Sequence, residues 1–135
     1  MKSLSKVVLG FYAQSGYEIQ SLLLVRSLRT FGGDMAALPV WLLFPESSPL
    51  APSALEELTS LEVTCHPFEI KDEFHRFPFA GKAAASAAAE GMAEKADCLL
   101  AWHDRTGIVR HPPEAFHLPQ GKVLGFRPTD IANIG

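Results

Sequence analysis

No run in the 135-residue chain approaches the roughly 18 apolar residues needed to cross a bilayer. The nearest, Ala36 to Phe44, carries Pro39 within it, so no membrane span is expected. Cysteine is scarce: Cys65 and Cys98 are the only two, each in an apolar segment and without Cys-x-x-Cys spacing. That argues against a disulfide framework or a zinc site and for buried reduced thiols, as expected of a cytoplasmic protein. Lys2 and Lys6 precede Val7-Val8-Leu9, but this apolar piece is short for a signal peptide and runs into Gln14-Ser15-Gly16 as a strand runs into a loop. An excess of one charge is also lacking. A net charge of −3 gives no general attraction to nucleic acid or an anionic membrane, and nucleic acid is not expected as a partner. Gly-x-Gly-x-x-Gly and the Walker motif are missing, which leaves a dinucleotide dehydrogenase or P-loop kinase unsupported. Ser15, Ser86 and the five histidines have no Gly-x-Ser-x-Gly elbow around them, so no hydrolase triad is visible.

What is present is an ordinary globular composition, 47% hydrophobic and 20% charged, in a length suited to a single domain over residues 1–135. Val7 to Phe11 is continuously apolar, as suits a strand buried on both faces. Ser15 and Glu18 have the spacing of a capping box, which predicts a helix over Ile19 to Phe31. Leu24, Leu28 and Phe31 mark its apolar face, Leu22 and Val25 widen it, Arg26 and Arg29 sit near its negative end, and Gly32-Gly33 supplies a left-handed cap. Val40 to Phe44, between Pro39 and Pro45, reads as a second buried strand. Ser53 with Glu56 opens a short helix over Ala54 to Thr59, and Leu61 to Cys65 alternates like a strand. Residues 66–80 mix charge, aromatics, Pro67 and Pro78, which predicts an irregular segment able to form a pocket rim. Lys82 to Ala96 is an Ala-rich helix whose small residues Ala84, Ala88 and Gly91 suit close approach to a sheet. Cys98 to Trp102 is the next strand, and Lys122 to Arg127 another. The alternation predicts the α/β class: a Rossmann-like, mostly parallel sheet with helices on its faces.

Ligands of open α/β sheets bind beyond the carboxyl ends of the strands. Asp104, just past the strand ending at Trp102, is therefore the leading candidate to hold a metal or a ribose, and its oxygens suit Mg2+ or Mn2+. Thr106 stands where Asp-x-Asp would have its second acid, and Arg105 brings a positive charge, so divalent affinity is expected to be weak. His103 points to the opposite face from its strand neighbours and is read as a non-ligand. The loop Tyr12 to Tyr17 joins the first strand to the first helix, where backbone amides and the positive helix end favour phosphates. Tyr12 and Gln14 are placed there to touch a base or ribose, and Lys82 can counter a phosphate charge.

Ser27-Leu28-Arg29-Thr30-Phe31-Gly32-Gly33, Phe77-Pro78-Phe79-Ala80-Gly81-Lys82, the strand ending at Asp104, and Arg127-Pro128-Thr129-Asp130 with Asn133-Ile134-Gly135 carry a family likeness in their order. Over nearly the whole chain the sequence resembles nucleotide-diphospho-sugar transferases of the GT-A fold, in their N-terminal half. The resemblance implies that Phe11 and Tyr12 hold a nucleotide and Asp104 a divalent ion or ribose, with a UDP- or GDP-sugar as ligand. It also implies that the acceptor-binding, catalytic half of such an enzyme would begin near Gly135, so catalysis is expected to be lost or to depend on further sequence. Two other readings stand beside it: a non-catalytic interaction or dimerisation module, in which a homo-oligomer is the partner, and a small enzyme with another nucleotide substrate.

Overall fold

The computed structural model describes residues 6–71, 73, 76–116 and 118. Within them the chain is an α/β protein of Rossmann-like form, built as β1 (Lys6–Tyr12), α1 (Glu18–Phe31), β2 (Val40–Pro45), α2 (Pro52–Ser60), β3 (Val63–Phe68), α3 (Ala80–Ala96) and β4 (Cys98–His103). The four strands are parallel throughout, in the order β3-β2-β1-β4. The expected strand over Lys122 to Arg127 lies outside the described residues. No described helix is long and apolar enough to cross a membrane.

The strand order sets the position of the ligand edge. The chain steps outward from β1 to β2 to β3, then returns past β1 to place β4 on its other side. Because parallel crossovers share one hand, this reversal moves the covering helix to the opposite face of the sheet. The core divides accordingly. Leu9, Phe11, Leu42 and Phe44 pack with Leu24, Val25 and Leu28 of α1 and Leu58 of α2. Tyr12 and Leu43 pack with Ala85 and Ala89 of α3. The crevice between the carboxyl ends of β1 and β4 is the topological switch point, where such sheets take ligands.

Several local expectations are corrected. Glu18 does not close a capping box with Ser15. Tyr17 occupies the N-cap without a side-chain bond, and the Glu18 carboxylate accepts instead from the amides of Gly16, at 3.0 Å, and Ala51, at 3.1 Å. Those bonds tie the start of α1 to the start of α2; the Glu18 backbone amide first, then the amides of Ala51 and Gly16, lower the Glu18 pKa. Nor does Ser53 cap α2, which starts at Pro52, a residue whose missing amide costs nothing at a first helical position. Phe31 is exposed at the end of α1 rather than part of its packed face. The left-handed cap falls on Gly33, at φ +57°, one residue after Gly32 in ordinary helical conformation.

β3 begins later than Leu61 and runs on to Phe68 through Pro67. A proline is tolerated there because β3 is an edge strand among the described residues, where an absent amide can face away from the ladder. The small-residue stripe that lets α3 approach the sheet is Ala85-Ala89-Ala93, rather than the expected Ala84-Ala88-Gly91. Gly91 is exposed, and a Cβ there would meet nothing within 4 Å. Gly91→Ala should therefore raise stability by about 0.5–1 kcal/mol through backbone entropy alone. A thermal melt checks this: the midpoint should rise by about 2–4 °C.

Candidate functional site

The carboxyl ends of β1 and β4 and the first turn of α3 enclose a cleft of about 90 Å3 lined by Tyr12, Lys82, Trp102, His103, Asp104 and Arg105. Of the residues singled out in the sequence, Tyr12, Lys82 and Asp104 meet here. Gln14 is tied to the cleft because its Oε1 accepts a 3.0 Å bond from the Tyr12 hydroxyl. Phe11 is not brought in: its side chain is fully buried in the core on the α1–α2 side. Two glycines set the closeness of the walls. A Cβ at Gly81 would lie 2.5 Å from the Tyr12 hydroxyl, and one at Gly10 would lie 2.9 Å from Leu100 and 3.1 Å from the Trp102 ring. Tyr12 can thus reach the start of α3, and Trp102 can lie across β1.

Asp104 is already engaged. Its Oδ1 accepts from the Thr106 amide, at 2.9 Å, and from the Thr106 hydroxyl, at 2.7 Å, while Oδ2 pairs with Lys82 Nζ at 3.1 Å. The Thr106 amide is the main cause of a pKa lowered to about 2, with the Thr106 hydroxyl and Lys82 adding to it. Thr106 thus acts as the donor that orients Asp104 rather than as a second ligand. The His103 Nδ1 lies 2.7 Å from the Asp104 carbonyl oxygen, an acceptor, which puts the proton on Nδ1. Since the folded pKa of Asp104 lies below the ordinary 3.8, its contribution to stability is complete above that value and lost as pH falls through about 2. Denaturation midpoints of the wild type and Asp104→Asn should accordingly converge as the pH is lowered over this interval.

These residues do not make a divalent-cation site. Asp104 is a single carboxylate with both oxygens taken and an ammonium beside it. Among the described residues no group of three or more His, Cys, Asp or Glu converges to hold a metal. The loop after β1 leaves few amides for a phosphate. The amides of Ala13, Ser15, Gly16 and Tyr17 already donate to Leu43 O, Ser48 O, the Glu18 carboxylate and Gln14 O.

Arg105 adds a contact that its place in the sequence does not reveal. Its guanidinium stacks 3.7 Å from the centroid of the Tyr17 ring and 5.8 Å from that of Tyr12. The Nε and Nη1 atoms are shielded from solvent and have no hydrogen-bond acceptor among the described residues. A desolvated, permanently charged donor left without an acceptor costs stability. Tyr12 feels the same cation: burial raises its pKa and Arg105 opposes the rise. With Lys82 and Arg105 against Asp104, the cleft carries a net positive charge beside the positive end of α3. The only sequence hint was Arg105 standing where a metal should bind. Elsewhere, Cys65 and Cys98 are free and half-buried, and burial raises both thiols, so neither is an activated nucleophile.

No known protein-family model matches the chain, and no curated protein matches it significantly.

Proposed function

We propose that the chain is a glycosyltransferase-like domain that binds a nucleotide-sugar, with its diphosphate held directly by Lys82 and Arg105 rather than through a metal ion. The observation that carries this reading is the Arg105 guanidinium, stacked on Tyr17 and lining a cationic cleft with Lys82 on the switch-point edge, its Nε and Nη1 without an acceptor among the described residues. A diphosphate supplies bidentate acceptors for the guanidinium and a counter-charge for Lys82. Tyr12 and Gln14 lie at the rim for the ribose. The same two cations would stabilise charge on a departing nucleoside diphosphate, which is the electrostatic part of glycosyl transfer. Mg2+ or Mn2+ is not required. The two free thiols suit the reducing cytoplasm.

Thermal melts in EDTA test the reading. A UDP- or GDP-sugar at about 100 times its dissociation constant should add roughly 2.7 kcal/mol of stability, a midpoint shift of about 10 °C. Flat curves across the nucleotide sugars would contradict it. They would favour the second reading, a dimerisation or interaction module. That reading draws on Ile19 and Leu23, exposed one turn apart on α1, and on exposed Ile108 in the loop that α1 holds through a 2.7 Å bond from the Val109 amide to Ser27 Oγ.

A further inference from the structure

A second depression opens from the first. A groove of about 480 Å3 runs between α3 and β4, lined by Phe79, Lys82, Ala83, Ser86, Glu90, Leu100 and Trp102. Lys82 and Trp102 belong to both depressions, so the small cationic cleft continues into a larger and mainly apolar space. The cleft has room for phosphates only, whereas the groove falls in the size range of small-molecule sites.

The polar side chains of the groove are set by helix geometry. Lys82, Ser86 and Glu90 follow one another at intervals of four along α3. Lys82 and Glu90 are therefore about 12 Å apart along the helix axis, with the carboxylate at the far end from the phosphate cleft. That separation suits a nucleotide lying along the groove, phosphates at Lys82 and base edge at Glu90. Phe79 and Trp102 both keep exposed ring surface, at 72% and 38%, although each is large and apolar. Flat aromatic surface beside a polar end group is what a nucleobase stacks on.

We infer that this groove is a nucleobase subsite selective for guanine, with Trp102 as the stacking surface and the Glu90 carboxylate as the acceptor for the base edge. A carboxylate offers two acceptors and no donor. Guanine presents two adjacent donors, N1–H and N2–H, and meets both in charge-assisted bonds. Uracil places an acceptor on either side of its single N–H, and adenine and cytosine each pair a donor with an acceptor, so the carboxylate repels part of each edge. The inference rests on the diphosphate reading for the placement of the phosphates at Lys82.

Calorimetric titration of the full chain with inorganic pyrophosphate, GDP, ADP and UDP, on wild type and Glu90→Gln, tests it. Glu90 is exposed on a helix, so the substitution leaves the fold intact. The expected result is GDP binding at least tenfold more tightly than pyrophosphate, ADP or UDP. In Glu90→Gln this advantage should fall to the level of ADP, with pyrophosphate affinity unchanged. Equal affinities for GDP and pyrophosphate would overturn the base subsite while leaving the diphosphate reading standing. Equal gains for GDP, ADP and UDP would overturn the guanine assignment. Failure of all four to bind would overturn the diphosphate reading and this inference together.

Discussion

Replacing Arg29 with alanine should destabilise the chain by about 3 kcal/mol, the largest effect expected of any single polar substitution. Its guanidinium donates to four backbone carbonyls: Leu61 O at 3.0 Å, Ala36 O at 2.8 Å, Leu38 O at 2.6 Å and Glu62 O at 3.4 Å. These belong to the turn that leads into β2 and to the turn between α2 and β3, where Glu62 takes a left-handed φ of 63°. One side chain thus holds the ends of two crossovers against the last turn of α1. Alanine leaves partly buried carbonyls without a charged donor, and the left-handed residue without the contact that fixes it. Lysine should recover less than half of the loss, because a single ammonium cannot span four acceptors as a planar fork does. Urea denaturation checks this through a lower midpoint at unchanged slope.

The second large effect concerns ligand rather than fold. Arg105→Ala should weaken diphosphate binding at least tenfold, and Arg105→Ala with Lys82→Ala at least a hundredfold, since each charge-assisted contact is worth about 1.5–3 kcal/mol. Arg105→Lys should not restore the loss, because an ammonium does not stack on Tyr17 as a guanidinium does. Asp104→Asn separates the direct reading from a metal-bridged one. The asparagine oxygen still accepts from Thr106, but Lys82 is released from its ion pair. Diphosphate affinity should then rise severalfold both in EDTA and with Mn2+ present, whereas loss of a metal ligand would make it fall with Mn2+ present. Titration calorimetry with pyrophosphate reads both outcomes.

The elements legible in the sequence were those whose signal is local. β1 and β2 are continuous apolar runs because strands buried on both faces leave no polar alternation; β4 is as apolar in sequence but only partly buried, with Trp102 exposed. α3 is visible from its alanines alone. What escaped was set by residues far apart in the chain. The partners of Glu18 include Ala51, and those of Arg29 include Leu61 and Glu62, all brought close by the crossovers, so a capping box and a dipole contact were the nearest local substitutes. The continuation of β3 through Pro67 depends on edge position, which only the strand order reveals. In the site, Tyr12, Lys82 and Asp104 were legible because they stand at element ends. Arg105 was not, since stacking on Tyr17 needs the loops after β1 and β4 side by side. Of the two neighbours Phe11 and Tyr12 only the second lines the cleft: neighbours on a strand face opposite ways, so Phe11 enters the core where Tyr12 meets the cleft.

Uptake of an anion at the edge of the Arg105 guanidinium can be followed through the arginine side-chain Nε–H resonances by NMR while inorganic pyrophosphate is added in EDTA. A saturable displacement of the Arg105 Nε–H signal is expected, with the backbone amides of Gly81, Lys82 and Thr106 moving at the same midpoint. An Arg105 signal unmoved at saturating pyrophosphate, or shifts confined to residues away from the ends of β1 and β4, would contradict it.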